Sequence, residues 1–580
     1  MPTPVNTDVK ERTKPYPHVL DTHRFRFKEL CERELSIRWA SVAFREQPDW
    51  TEKLKDRSFV VDWLRQRQQS DFDQYSDSDP TLKPLVWGRD DITMWFNELA
   101  AYKHYVRRLQ KQGLKIEPDT EAVWRGDELV DEKTREELID AAATLENMPE
   151  DQKLWRPHTN EMIFDLVDPS MWPIIYNQTT TPEGNRIDNY SSDGRKFSSK
   201  MYCWLPSEFE ISGDGKNTKI ASYINNLASP QEETVFVPIL ERVFTAFIPL
   251  FNHVLAEVER KLWAGSRCVD PTPWRSRVHD STLIASKEAC MQASKNLLDQ
   301  MEKDGTMTDD IEKIGVPIHP KPKNNTEYRS MFPVKNSWRL ISDAVWKPPK
   351  ISRFNKLEGR TANVIVRMMN IELSPENPRW DGEEWHLDGT LNERIIATGV
   401  YYYAQENIGE TYLALRRRDR GIQATVPIEI EWIKTKENRA IVYPNFYEHR
   451  IPAFSLIDKT KPGYSKLLIF YYCDPWQRSA LPTTRIVLPQ QPGQFEDMLR
   501  KSQLGSLPEE VFSQITSYLP LITITAGEAR EHRLQMIAEK EALANSRGFL
   551  DDDPEDERSH YYGTNCDGYE PQYSSEDDDE

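Results

Sequence analysis

Six cysteines in 580 residues (Cys31, Cys203, Cys268, Cys290, Cys473 and Cys566) include no Cys-x-x-Cys pair. This excludes a zinc ribbon, a redox dithiol and a secreted disulfide framework, and it fits a reducing compartment. Basic clusters are equally scarce. The nearest, "RRRDR" at Arg416 to Arg420, is short and reads as a solvated loop. Of the formal net charge of −19, the stretch from Asp551 to Glu580 carries −12, leaving −7 for the rest and no basic footprint for nucleic acid. No run reaches 18 apolar residues; the longest, "VFTAFIPLFNHVLAEV", is broken by Pro249, Asn252 and His253 and reads as a core helix rather than a membrane span. The opening "MPTPVNTDVKERTKPYPHVL" has no apolar h-region, so the expectation is an intracellular protein of cytoplasm or nucleus without a membrane partner. No internal repeat is visible.

Against these absences stands a clear change of texture along the chain. Residues 1–22 are rich in Pro and charge and read as disordered. Apolar positions at helical spacing predict a helical unit over 23–67, a polar linker over 68–81 and a helical lead-in over 82–151. From 152 to 493 short β-rich runs take over. "TKIASYINNL" reads as a strand, followed by the core helix. Then come "RSMFPV", "NVIVRMMNIEL", "ERIIATGVYYYA", "VPIEIEWIKT", "RAIVYPN", "KLLIFYYCDP" and "TTRIVLP", with turn chemistry and no helices between them. That pattern predicts an α+β chain around an antiparallel sandwich or barrel. Residues 494–547 return to helix, and 548–580 form an acidic tail that cannot bury a core.

The stretch "WHLDGTLNE" supplies the first chemistry. Composition alone predicts about two His-x-acid spacings, and His386 with Asp388 is the one the chain contains. In a strand, residues i and i+2 share a face, so the imidazole and the carboxylate would converge. Three histidines follow: His532 in a polar helix, His560 in the acidic tail, and His449 in "YPNFYEHRIPAF". Only His449 lies in the β-rich region. Two imidazoles and one carboxylate form a facial triad with three open positions, which suits Fe(II) and leaves net positive charge for an anionic cosubstrate.

A dicarboxylate such as 2-oxoglutarate would need a cation for its distal end. Lys466, in the strand that opens "KPGYSK", is the residue expected to supply it. Tyr401 and Tyr403 share one face of "VYYYAQ", and Asn370 has the parity of Val364, Val366 and Met368; these are the further candidates for cosubstrate contact. Tyr223 and Asn225 are suspected pocket-lining residues, and Trp385 is expected to shield the first ligand.

Blocks such as "FKELCERELSIRWASVAFREQPDWTEK", "LVDPSMWPIIYNQT", "NVIVRMMNIELSPENP", "WHLDGTLNERIIATGVYYYAQENI" and "VYPNFYEHRIPAFSLIDKTKPGYSKLLIFYYCDP" resemble, in order, a mostly fungal family known as domain of unknown function 4246. The resemblance runs from about residue 24 to about residue 540. It implies a double-stranded β-helix (jelly-roll) core similar to Fe(II)/2-oxoglutarate oxygenases, with His386, Asp388 and His449 as metal ligands and Lys466 on the cosubstrate. The family usually carries Glu where this chain has Asp388. The expected activity is hydroxylation or demethylation of an unknown substrate. Two alternatives stand beside it: a cupin-like or catalytically silent metal-binding protein that does not use 2-oxoglutarate, and an interaction scaffold. For the latter, "LPEEVFSQITSYLP" is similar to the start of an F-box.

Overall fold

The computed structural model describes residues 32–74, 89–189, 197–227, 230–259, 346–420, 425–476, 482–518 and 523–549, with isolated positions from 16 to 20, at 87 and between 268 and 340. The expectations for 1–15, for 75–81, for "RSMFPV" and for the acidic tail lie outside the described residues. Helical periodicity in the first third produces α1 (Glu32–Arg45), α2 (Arg57–Gln74), α3 (Arg89–Lys111) and α4 (Glu132–Glu146). α2 extends through Gln74, into the segment expected as linker. The first three helices share one core, in which Phe44 lies edge-on to Trp95 at 5.5 Å and Trp63 stacks on Trp95 at 5.6 Å. The expected boundary between a 23–67 unit and an 82–151 lead-in therefore cuts through a single packed cluster.

The β-rich region forms β1 (Trp124–Asp127), β2 (Ile163–Val167), β3 (Ser207–Ile211), β4 (Thr218–Ile220), β5 (Thr361–Leu373), β6 (Ile395–Glu406), β7 (Thr411–Arg420), β8 (Thr425–Thr435), β9 (Arg439–Pro444), β10 (Glu448–Arg450) and β11 (Gly463–Cys473). A nine-stranded sheet runs β1-β9-β6-β11-β5-β3-β4, with β2 also on β5 and Glu117–Pro118 outside β1. A second sheet is ordered β8-β7-β10. Every named pairing is antiparallel. The expected strand in "TKIASYINNL" is confined to its first three residues, and "TTRIVLP" forms turns. "RRRDR" is no loop either. It ends β7, with Arg416 on Glu448 at 2.6 Å and Arg417 buried beside Glu121; the side chains of Arg418 to Arg420 lie outside the described residues.

One helix covers one face of the large sheet. α5 (Pro230–Glu259) packs Phe244 and Phe247 edge-on against Phe470 of β11, with ring centroids 5.2 and 5.6 Å apart. Gly399 of β6 lets it approach, because a Cβ there would sit 3.0 Å from both Phe247 and Phe251. Among the described residues Glu232–Glu259 is the one helix long and apolar enough to cross a membrane, and its aromatic face is spent on the sheet. The C-terminal helices α6 (Pro492–Lys501), α7 (Glu509–Thr516) and α8 (Ala526–Phe549) follow the sheet. α7 is the segment similar to an F-box start; of it only Phe512 is buried.

α5 also carries His253, whose Nδ1 lies 2.6 Å from the Pro249 carbonyl and Nε2 3.0 Å from Tyr105 Oη. Burial pulls its pKa down to about 4, below an ordinary value of 6.5. Between those values the unfolded chain binds the proton and the folded chain does not, so stability falls as pH drops from 6.5 toward 4, by about 1.4 kcal/mol per pH unit at most. Urea denaturation over that range should show a fall in stability to which His253 contributes this slope, and His253→Gln should lower the total slope by that amount; an unchanged slope would refute the assignment.

Candidate metal centre

Strand alternation divides the large sheet into two chemically different faces. Lys466, Leu468, Phe470 and Tyr472 of β11 pair with Asn370, Met368, Val366 and Val364 of β5 and look toward α4 and α5. The alternate residues, including Arg367 of β5, Thr398 and Tyr402 of β6, Tyr443 of β9 and Tyr471 of β11, occupy the other face. On that face the large sheet meets the edge of the small one, where the rings of Tyr443 and His449 are 5.3 Å apart.

His386 and His449 are joined by a reciprocal backbone bridge, with N–H to O distances of 3.1 and 2.9 Å. The "WHLD" segment is thus a single antiparallel bridge followed by a bend, not the regular strand the spacing suggested. Gly389 makes the bend at φ +71°, and a Cβ there would lie 2.7 Å from Ile395 Cδ1. Asn445 pins the same loop by donating to the carbonyls of Asp388 (3.0 Å) and Ile395 (3.1 Å). Glu393 closes it from below, accepting from Thr390 N, Thr390 Oγ1 and Trp204 N.

The result brings His386, Asp388 and His449 together, with one potential ligand atom from each within 4.8 Å of the others. His386 Nδ1 lies 2.9 Å from the Glu384 carbonyl, so it donates there and leaves Nε2 with its lone pair. His449 is buried, its Nδ1 has no hydrogen-bond partner among the described residues, and its Nε2 lies 3.4 Å from Asp388 Oδ2. Burial pushes the His449 pKa down to about 4, against the pull of Asp388, so its imidazole is neutral near pH 7. The Asp388 carboxylate accepts one long bond from Thr398 Oγ1, at 3.4 Å. Two imidazoles and an under-partnered buried carboxylate are a donor set that fits a divalent first-row ion.

The remaining candidates fall elsewhere. Lys466 holds Glu146 of α4 through both carboxylate oxygens at 2.8 Å, on the helix-covered face. This corrects its expected role, because a side chain of opposite parity to Tyr471 points away from the triad. Asn370 binds the same Glu146, Tyr403 Oη donates to Asn370, and Tyr401 Oη donates to Asn438; all three lie on Lys466's face. Asn225 donates to the Met171 carbonyl and Tyr223 to that of Val487, so neither stands at the triad. Trp385 turns outward, held between the guanidinium groups of Arg416 and Arg450 at 4.6 and 4.5 Å.

In their place the triad face carries residues of the opposite parity. Tyr402 is buried, and its hydroxyl has no partner among the described residues. Tyr471 packs against Trp204, tilted, with ring centroids 5.4 Å apart, and shares the electrostatic field of Asp388 and Arg367. Arg367, Arg156 and Arg533 converge on the buried Asp165. The signal was in the alternation: Asp388 meets Thr398, so Tyr402 and not Tyr401 or Tyr403 shares the triad's side.

Fold and site together define a helix-flanked antiparallel-sheet protein with a candidate His-Asp-His centre on the face turned away from α4 and α5. A family model described as "Protein of unknown function (DUF4246)" matches residues 89–498, and one described as "Domain of unknown function DUF4246, N-terminal" matches residues 1–66. The chain belongs to that family. No functionally curated protein matches it. Among solved structures it is similar to an Fe(II)/(alpha)ketoglutarate-dependent dioxygenase, TqaL, at 8% identity and a TM-score of 0.23 over 68% of this chain and 96% of that one. A rice dioxygenase for auxin oxidation gives 8% identity and a TM-score of 0.18 over 69% and 83%. An IDO from Bacillus thuringiensis gives 8% identity and a TM-score of 0.16 over 24% and 69%. Scores this low leave the function to be argued from the chain's own residues.

Proposed function

We propose that the chain is an Fe(II)/2-oxoglutarate-dependent oxygenase-like enzyme built on a double-stranded β-helix, with His386, Asp388 and His449 holding the iron. The observation that carries this reading is the convergence of the three side chains within 4.8 Å, at a place where two antiparallel sheets meet. Iron with a bound 2-oxo acid would supply the oxidation of a C–H bond, coupled to decarboxylation of the acid. The chain's own part is positional. His386 is oriented by the Glu384 carbonyl, Asp388 by the bend at Gly389 and by Asn445, and His449 by the bridge to His386. The buried tyrosines 402, 443 and 471 exclude water from the triad face, as an oxidising site requires.

A second reading, a metal-binding protein that does not use 2-oxoglutarate, is favoured by one observation: Lys466 is committed to Glu146. Anaerobic titration of the apo-protein with Fe(II) and then 2-oxoglutarate separates the two. A visible charge-transfer band that is lost in His449→Ala is the expected result. Metal binding without the band would select the second reading, and no metal binding would overturn both.

A further inference from the structure

The C-terminal helix α8 places charge where an amphipathic helix ordinarily places hydrocarbon. Ala529, Arg533, Met536 and Lys540 lie at steps of four, three and four along it, and the first three are buried. Arg533 is held by Asp168 at 2.5 Å and Asp165 at 2.9 Å, Glu539 accepts from Ser199 Oγ at 2.7 Å, and Gln535 Oε1 accepts from Tyr202 Oη at 2.5 Å. Seated this way, the helix drives the Lys540 ammonium inward, 3.1 Å from the centroid of the Trp204 ring.

Lys540 Nζ is buried and has no hydrogen-bond acceptor among the described residues. The carboxylates nearest in electrostatic terms are already engaged. Glu393 is filled by Trp204 N, Thr390 N and Thr390 Oγ1, and Asp168 by Ser170 N and Arg533. The Trp204 ring over which the ammonium lies is 5.4 Å from Tyr471 of the triad face, and Trp204 N donates to Glu393 of the triad loop, so Lys540 belongs to the triad's surroundings. Three desolvated N–H donors without an acceptor are costly, and packing alone would be met by methionine at similar volume.

We infer that Lys540 is the binding residue for a carboxylate of a small oxo acid beside the triad, in the role that Lys466 does not fill. The inference rests on the oxo-acid reading above. It makes α8, which lies beyond the family match over residues 89–498, a wall of the site. Arg367, presented on the same side of the sheet, is neutralised by Asp165, which leaves Lys540 as the cation without a carboxylate partner among the described residues there.

The test uses the full chain loaded with Mn(II) under nitrogen, 2-oxoglutarate as probe, and isothermal titration as readout, for wild type, Lys540→Met, Lys540→Arg and Lys466→Met. Loss of one partner of a buried charge pair predicts binding weaker by about 30-fold or more in Lys540→Met. Partial retention is expected in Lys540→Arg and none of this loss in Lys466→Met, while Mn(II) affinity stays at the wild-type value in all three. Denaturation of the ligand-free chains is the second readout: Lys540→Met should be at least as stable as wild type and should gain no stability from 2-oxoglutarate. Wild-type 2-oxoglutarate affinity in Lys540→Met would overturn the inference and leave the oxygenase reading standing. A wild-type chain that binds Mn(II) but no 2-oxoglutarate would overturn both.

Discussion

Asp388→Asn is expected to lower Mn(II) or Fe(II) affinity by more than about 100-fold, the upper range for losing a group that merely supports a ligand, while the apo-protein becomes more stable. Both effects follow from how the carboxylate is buried. Asp388 is 7% exposed, among the described residues its carboxylate has only the long hydrogen bond from Thr398 Oγ1, and His449 Nε2 stands 3.4 Å away. A carboxylate desolvated with so little compensation costs folding energy that a bound cation would return. Asparagine keeps the shape and removes the charge, so the apo-chain should gain about 1–2 kcal/mol, the usual cost of a poorly satisfied buried polar group. Equilibrium dialysis against Mn(II), paired with urea denaturation of the same preparations, measures the two changes together. A variant that loses stability and keeps its metal would make Asp388 a structural residue and remove the triad from the argument.

The triad was legible in the sequence for a reason that does not extend to its surroundings. His386 and Asp388 are two apart, and His449 is the one later histidine in a β-rich setting, so elimination sufficed without knowing the fold. The long strands β5, β6 and β11 were legible as well, because β-branched and aromatic residues are concentrated in them. Strand parity was not legible. "VYYYAQ" offers tyrosines to both faces, and only α5 packing against Gly399 decides that Tyr401 faces the helix and Tyr402 the triad. The same ambiguity misplaced Lys466, whose partner Glu146 comes from a helix 320 residues earlier. Lys540 was hidden differently. A helix dense in Glu, Arg and Lys reads as solvent-exposed until Ala529 and Met536 mark which stripe is buried.

Asp165→Ala should be the most destabilising single change on the triad side of the sheet, by about 3–5 kcal/mol, the cost of stranding buried charge. Asp165 is 1% exposed and compensates three guanidinium groups: Arg367 of β5 at 2.7 Å, Arg533 of α8 at 2.9 Å and Arg156 at 3.3 Å. Removing it leaves Arg367 with no carboxylate among its described ion pairs, whereas Arg533 keeps Asp168 and Arg156 keeps Glu383. The loss should therefore loosen α8 from the sheet without detaching it. The guanidinium groups beside Asp165 hold its pKa well below the ordinary carboxylate value despite complete burial. A depressed carboxylate contributes stability that is present above its unfolded pKa and lost as pH falls below about 4. The wild type should therefore lose stability in that acid range more steeply than Asp165→Ala. Limited proteolysis gives the local readout, since cleavage within α8 should accelerate in the variant before the sheet unfolds. If the variant kept wild-type stability and protection, the arginines would have other counter-charges, and the mooring of α8 that directs Lys540 toward Trp204 would have to come from Glu539 and Gln535 instead.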